Sequence, residues 1–204
     1  MNAFAADPFA VSATRTVAVD IYTSAYRISG QTVTRFARVA DIVNQIASTH
    51  LVIEQATLSE YADATATISA QQVLVTVDEI LFLLAAETDA AARPEMRIQK
   101  RAVRAQLGLP PFRLTGSVHV PQGSRPADGL LNVGERFLPM TEVTISSAVY
   151  PELGRTATAV AIQRQLAHVL LVTDDEQPDQ LLADVLDAAT AERWLQPRES
   201  DEGG

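Results

Sequence analysis

Arg27 stands three residues ahead of Gly30, and Arg113 stands three ahead of Gly116. Each pair is followed by an aspartate and an asparagine, Asp41 and Asn44 in the first case, Asp128 and Asn132 in the second. A guanidinium presents a planar fork of donors that fits a carboxylate or phosphate with two bonds at once, so two such arginines could clamp an anion from two sides. The same residues can also satisfy one another. Arg27 with Asp41 and Arg113 with Asp128 would make two ion pairs, while Asn44 and Asn132 would each end a short helix. Glycine inside a strand marks a bulge or a close backbone approach, which is the simpler account of Gly30 and Gly116.

Other catalytic chemistry finds little support. His50, His119 and His168 occupy non-equivalent places and form no His-x-x-x-His or His-x-Glu pattern, so no metal site is expected. His119, the one nearest an Arg-x-x-Gly segment, is kept with Arg27, Arg113, Asp41, Asp128, Asn44 and Asn132 as a candidate ligand contact. There is no cysteine, which removes disulfides, thiol nucleophiles and thiolate metal centres. No Gly-x-Ser-x-Gly elbow and no phosphate-binding glycine loop is present. The expectation is a protein with no catalytic residue and no cofactor.

The elements that must position these residues come in two copies. An offset of 86 sets Arg15 on Arg101, Val17 on Val103, Tyr26 on Phe112 and Gly30 on Gly116. An offset of 87 sets Asp41 on Asp128 and 51–59 (LVIEQATLS) on 138–146 (LPMTEVTIS), and 88 sets Asn44 on Asn132. Insertions of one residue between elements fall where loops tolerate them. Alternation and β-branched content predict, in each copy, extended stretches over 15–22 and 25–34 (101–109 and 111–120), a short helix over 38–47 (126–132), a strand over 51–58 (137–146), and a closing strand or hairpin over 71–84 (159–172).

The fold class that follows is α+β with β dominant: two tandem barrel-like or roll-like β-β-α-β-β repeats packed as a pseudo-twofold pair, plus a C-terminal α-helix. The domain reading is a flexible N-terminus over 1–14, repeat 1 over 15–90, a basic link over 91–100, repeat 2 over 101–173, an acidic amphipathic helix over 174–196 and a disordered tail over 197–204. The helix rests on Leu182, Val185, Leu186, Ala189 and Trp194, which share one face.

Arg-x-x-Gly, the later Asp and Asn, and 137–144 (FLPMTEVT) together resemble an uncharacterised bacterial domain family, best over 112–146 and more divergently over 26–59. The resemblance implies no assigned activity.

Charge is segregated. The chain carries a net −9, yet residues 174–204 hold ten acidic and two basic residues, while Arg93, Arg97, Lys100, Arg101 and Arg104 cluster around Glu95. No apolar run reaches the roughly 18 residues of a membrane span and no secretory leader is evident, so a cytoplasmic location without membrane contact is the default expectation. The functional expectation is a non-enzymatic regulatory or scaffolding module that binds an unidentified protein partner or itself, through Arg97, Arg101, Arg104, Leu182, Leu186 and Trp194. Its alternatives are a nucleic-acid-binding protein, disfavoured by the acidic total and by 5% aromatic content, or a sensor of small anions or nucleotides.

Overall fold

The structure is a computed structural model that describes residues 14–63, 65–86, 100–131 and 134–173. The chain divides into two compact units, Met1–Ala92 and Arg93–Gly204. The expected C-terminal helix over 174–196, with Leu182, Leu186 and Trp194, lies outside the described residues, as do Arg97 and Asn132.

Unit 1 runs β1 (Arg15–Tyr22), β2 (Tyr26–Thr34), α1 (Val39–Asn44), β3 (His50–Glu60), β4 (Thr67–Thr76) and β5 (Phe82–Ala85). The strands are antiparallel in the order β5-β1-β2-β3-β4. β1 shows why this sequence extends: Val17, Val19 and Ile21 are buried at alternate positions, so a period of two puts these branched aliphatic side chains on the core face. The β1–β2 turn is held by Thr23, whose hydroxyl accepts from the amide of Tyr26 at 2.9 Å. Tyr61 reinforces it by donating its hydroxyl to the carbonyl of Tyr26 at 2.7 Å.

The helix is shorter than its sequence predicts. α1 has six residues, with Val39, Ala40, Ile42 and Val43 buried, and ends at Asn44. The closing stretch of this unit is not one strand or one hairpin. β4 pairs with β3, a single 3-10 turn over Val77–Glu79 follows, and β5 then pairs with β1 at the other edge of the unit. Val77 and Ile80 are both buried in this crossing, so the connection travels over apolar surface instead of folding back on β4. Phe82 lands opposite Tyr22 and stacks on it at 4.5 Å between ring centroids.

Unit 2 runs β6 (Lys100–Leu109), β7 (Phe112–Pro121), α2 (Pro126–Leu131), β8 (Phe137–Ser147), β9 (Arg155–Gln163) and β10 (Val169–Thr173), antiparallel in the order β10-β6-β7-β8-β9. Its core is lined by Leu107, Leu109, Leu114, Val118, Met140 and Ile145.

One irregularity occurs in both units. Between the pairs Ser29↔Thr57 and Gln31↔Glu54, the single residue Gly30 faces two residues of β3; between Thr115↔Thr144 and Ser117↔Thr141, Gly116 faces two of β8. Each bulged strand carries a non-glycine residue in the left-handed region, Gln55 at φ 49° and Glu142 at φ 53°. The bulge presses its strand against the glycine. A Cβ on Gly30 would meet Ile53 Cγ2 at 2.5 Å and the Glu54 carbonyl oxygen at 2.8 Å, and one on Gly116 would meet the Thr141 carbonyl oxygen at 2.7 Å.

Candidate functional site

Arg27 is not paired with Asp41. Its Nε and Nη2 donate to Asp20 on β1, the closest contact being Nη2 to Oδ2 at 3.0 Å, and the Ser29 hydroxyl donates to the same carboxylate. Register explains the choice. Asp20 lies directly across from Ser29, and Arg27 lies across from Tyr22, so acid and base are diagonal neighbours on one face of a hairpin. Among the described residues neither Asp41 nor Asp128 enters an ion pair; Asp41 is partly exposed on α1 and Asp128 is exposed on α2. An Arg27 already held by the Asp20 carboxylate is a poor half of an anion clamp.

In unit 2 the register position of Asp20 is taken by Gln106, buried and opposite Thr115, so a neutral amide stands near Arg113 where unit 1 has a carboxylate. His119 lies opposite Ala102, with Nε2 3.0 Å from the Thr141 hydroxyl. Asn44 closes α1. Arg101 donates to the Ser124 carbonyl at 3.3 Å, while Arg104 is exposed opposite Ser117. Three residues apart on a strand, Arg101 and Arg104 point to opposite faces and do not build one basic surface. Among the described residues no group of three His, Asp or Glu side chains is placed to hold a metal ion, and no helix is long and apolar enough to cross a membrane.

The feature that stands out, a set of exposed apolar side chains on β2, β3 and β4 of unit 1, was not among the sequence-derived candidates. Seven large apolar side chains are exposed among the described residues, and five of them, Tyr26, Val33, Val52, Ile68 and Leu74, belong to β2, β3 and β4. Ile68 and Leu74 on β4 are 65% and 61% exposed, and Val52, directly across from Leu74, is 40% exposed. Val33, 53% exposed, lies two residues beyond Gln31 as Val52 lies two before Glu54, which continues the row onto β2.

β4 has β3 as its one strand neighbour, so the backbone amides and carbonyls on its other side are unpaired by any described strand. Its sequence, TISAQQVLVT, contains no charge, no proline and no glycine over ten residues. Natural edges usually carry a lysine, a proline or an inward charge that blocks strand addition. β4 carries none of these. The corresponding strand of unit 2 differs: β9 opens with Arg155, and Val160–Gln163 are buried. The sequence held no signal for this edge, because an uncharged stretch such as 67–76 reads as interior strand.

No protein-family model, curated protein or solved structure matches the chain.

Proposed function

We propose that this protein is a non-enzymatic scaffolding module that binds a protein partner by strand addition at β4, and that its two units are diverged copies of one duplicated β-β-α-β-β unit. The duplication is supported by register. Arg15↔Thr34 and Arg101↔Val120 are the same pairing 86 residues apart, His50↔Thr76 and Phe137↔Gln163 the same pairing 87 apart, and both units place a left-handed residue opposite a strand glycine.

Function then resides in what the copies do not share. The row Val33, Val52 and Leu74 corresponds to His119, Pro139 and Ala161, so this exposed apolar row has no counterpart in unit 2. The observation that carries the reading is β4 itself: a ten-residue edge with open backbone groups, no gatekeeping charge, and two large aliphatic side chains in water. Main-chain hydrogen bonds would supply affinity and the apolar row specificity, as in other strand-addition complexes. An anion clamp is disfavoured by the Asp20 carboxylate on Arg27, and nucleic-acid binding by the opposed faces of Arg101 and Arg104.

The test is a pull-down from the native cell with the wild-type chain and with Leu74→Lys, followed by hydrogen exchange on the purified complex. A partner that is lost in the variant and that slows exchange of the 67–76 amides supports the reading. Identical partners in both samples, with 67–76 unprotected, refute it.

A further inference from the structure

We infer that the strand received by β4 is β4 of a second copy of this chain, added antiparallel about a twofold axis between Gln71 and Gln72. This rests on the strand-addition reading above and names its partner.

A symmetric pair of strands places residue i against residue j and j against i, and side chains directly opposite share a face of the sheet. An ordinary ten-residue strand cannot do this over its whole length with the axis perpendicular to the sheet. Strict alternation makes the two ends opposite in facing, so full-length pairing would set every core-side residue against a solvent-side one. β4 is not ordinary, because its pairing with β3 spans the irregularity at Gln55.

Its core-side residues can be read from their β3 partners. Leu51, Ile53 and Ala56 are buried and lie opposite Val75, Val73 and Ala70, and Leu58 lies opposite Ile68. The solvent side carries Leu74, Gln72, Ser69 and Thr67, opposite Val52, Glu54, Thr57 and Ser59. The order of facings is therefore a palindrome. Around the midpoint of Gln71 and Gln72, Ile68 meets the second copy's Val75 and Ala70 meets its Val73 on the core side, while Ser69 meets Leu74 and Thr67 meets Thr76 on the solvent side. These four mirrored pairs take in eight of the ten residues, and none of their side chains is forced to the wrong face.

Energetics agree with geometry. Ile68, the most exposed of the large apolar residues, gains an aliphatic neighbour and extends the apolar face of the sheet across the axis. No charge on β4 opposes its own image. The nearest acid on the solvent face, Glu54, lies one strand inward, which separates it from its image by three strand spacings, about 14 Å and beyond the Debye length at physiological salt.

The full chain is examined by sedimentation velocity from micromolar to hundreds of micromolar. The expected result is a concentration-dependent dimer that Ile68→Lys weakens about tenfold or more, with an unchanged far-ultraviolet spectrum because the site is exposed. The native chain has no cysteine, so the register is read directly by mixing Ser69→Cys and Leu74→Cys chains under oxidation. The mixed disulfide should form faster than either self-disulfide. A dimer indifferent to Ile68→Lys, or cross-linking without that preference, overturns the proposal. A chain that stays monomeric yet loses a cellular partner on Leu74→Lys overturns self-pairing alone; a monomer whose partners are unchanged overturns strand addition as well.

Discussion

Replacing Gly116 with alanine tests whether the bulge, and not a ligand, is what the strand glycines serve. The new Cβ would stand 2.7 Å from the Thr141 carbonyl oxygen and 3.1 Å from both the Glu142 carbonyl oxygen and Met140 Cε. The methionine tip can swing aside; the carbonyl cannot, because Thr141 is paired with Ser117 in the β7–β8 ladder. Relief must come from separating two strands. Overpacking of this kind costs about 1–3 kcal/mol, partly offset by about 0.4–1 kcal/mol from the stiffer unfolded chain, which leaves a net loss of about 1.3 kcal/mol at mid-range and at most about 2.6 kcal/mol. For a chain of this size that lowers the melting temperature by roughly 2–8 °C. Gly134→Ala is the control, since nothing lies within 4 Å of its added Cβ, and it should melt within about a degree of wild type or slightly above. Differential scanning calorimetry of both variants decides the matter. A Gly116→Ala protein that melts at or above wild type would refute the close-approach account.

Three further outcomes follow from the same geometry. Tyr61→Phe removes the donor to the Tyr26 and Thr23 carbonyls while keeping the buried ring, and should cost about 1–2 kcal/mol in urea unfolding without changing the fold. Asp20→Ala and Arg27→Ala, combined in a double-mutant cycle, should show a coupling of about 0.5–1 kcal/mol, modest because the pair is partly exposed, whereas an Asp41–Arg27 cycle should show none within error. Asp63 accepts from the Thr65 hydroxyl at 2.6 Å and from its amide at 3.0 Å, and these bonds hold its carboxyl below the ordinary value of 3.8. A depressed folded pKa stabilises above the unfolded value, and that contribution disappears as pH falls through the lowered one. Carboxyl-carbon NMR should show the low titration in wild type and a rise in Thr65→Val; an unchanged midpoint in the variant would refute the assignment.

The sequence alone determined the β-dominant class, because alternation at Val17, Val19 and Ile21 or at Leu114, Val118 and Val120 is a local property that any strand with one buried face must show. It also pointed to Gly30 and Gly116, since glycine inside such a run often marks a backbone demand. Tertiary structure decided what that demand was, for only the cross-strand register reveals the two-for-one pairing at Gln55 and Glu142. It also decided the partner of Arg27. The offset of 87 that sets Asp41 on Asp128 coupled the arginine to Asp41, while register placed it beside Asp20, which the offset of 86 sets on Gln106 and which therefore gave no matching acid in the sequence. Which strand is an edge is likewise invisible in one dimension. Buried and open strands can share the composition of TISAQQVLVT, and the difference between interior strand and open edge is made by whether a neighbour stands on the second side.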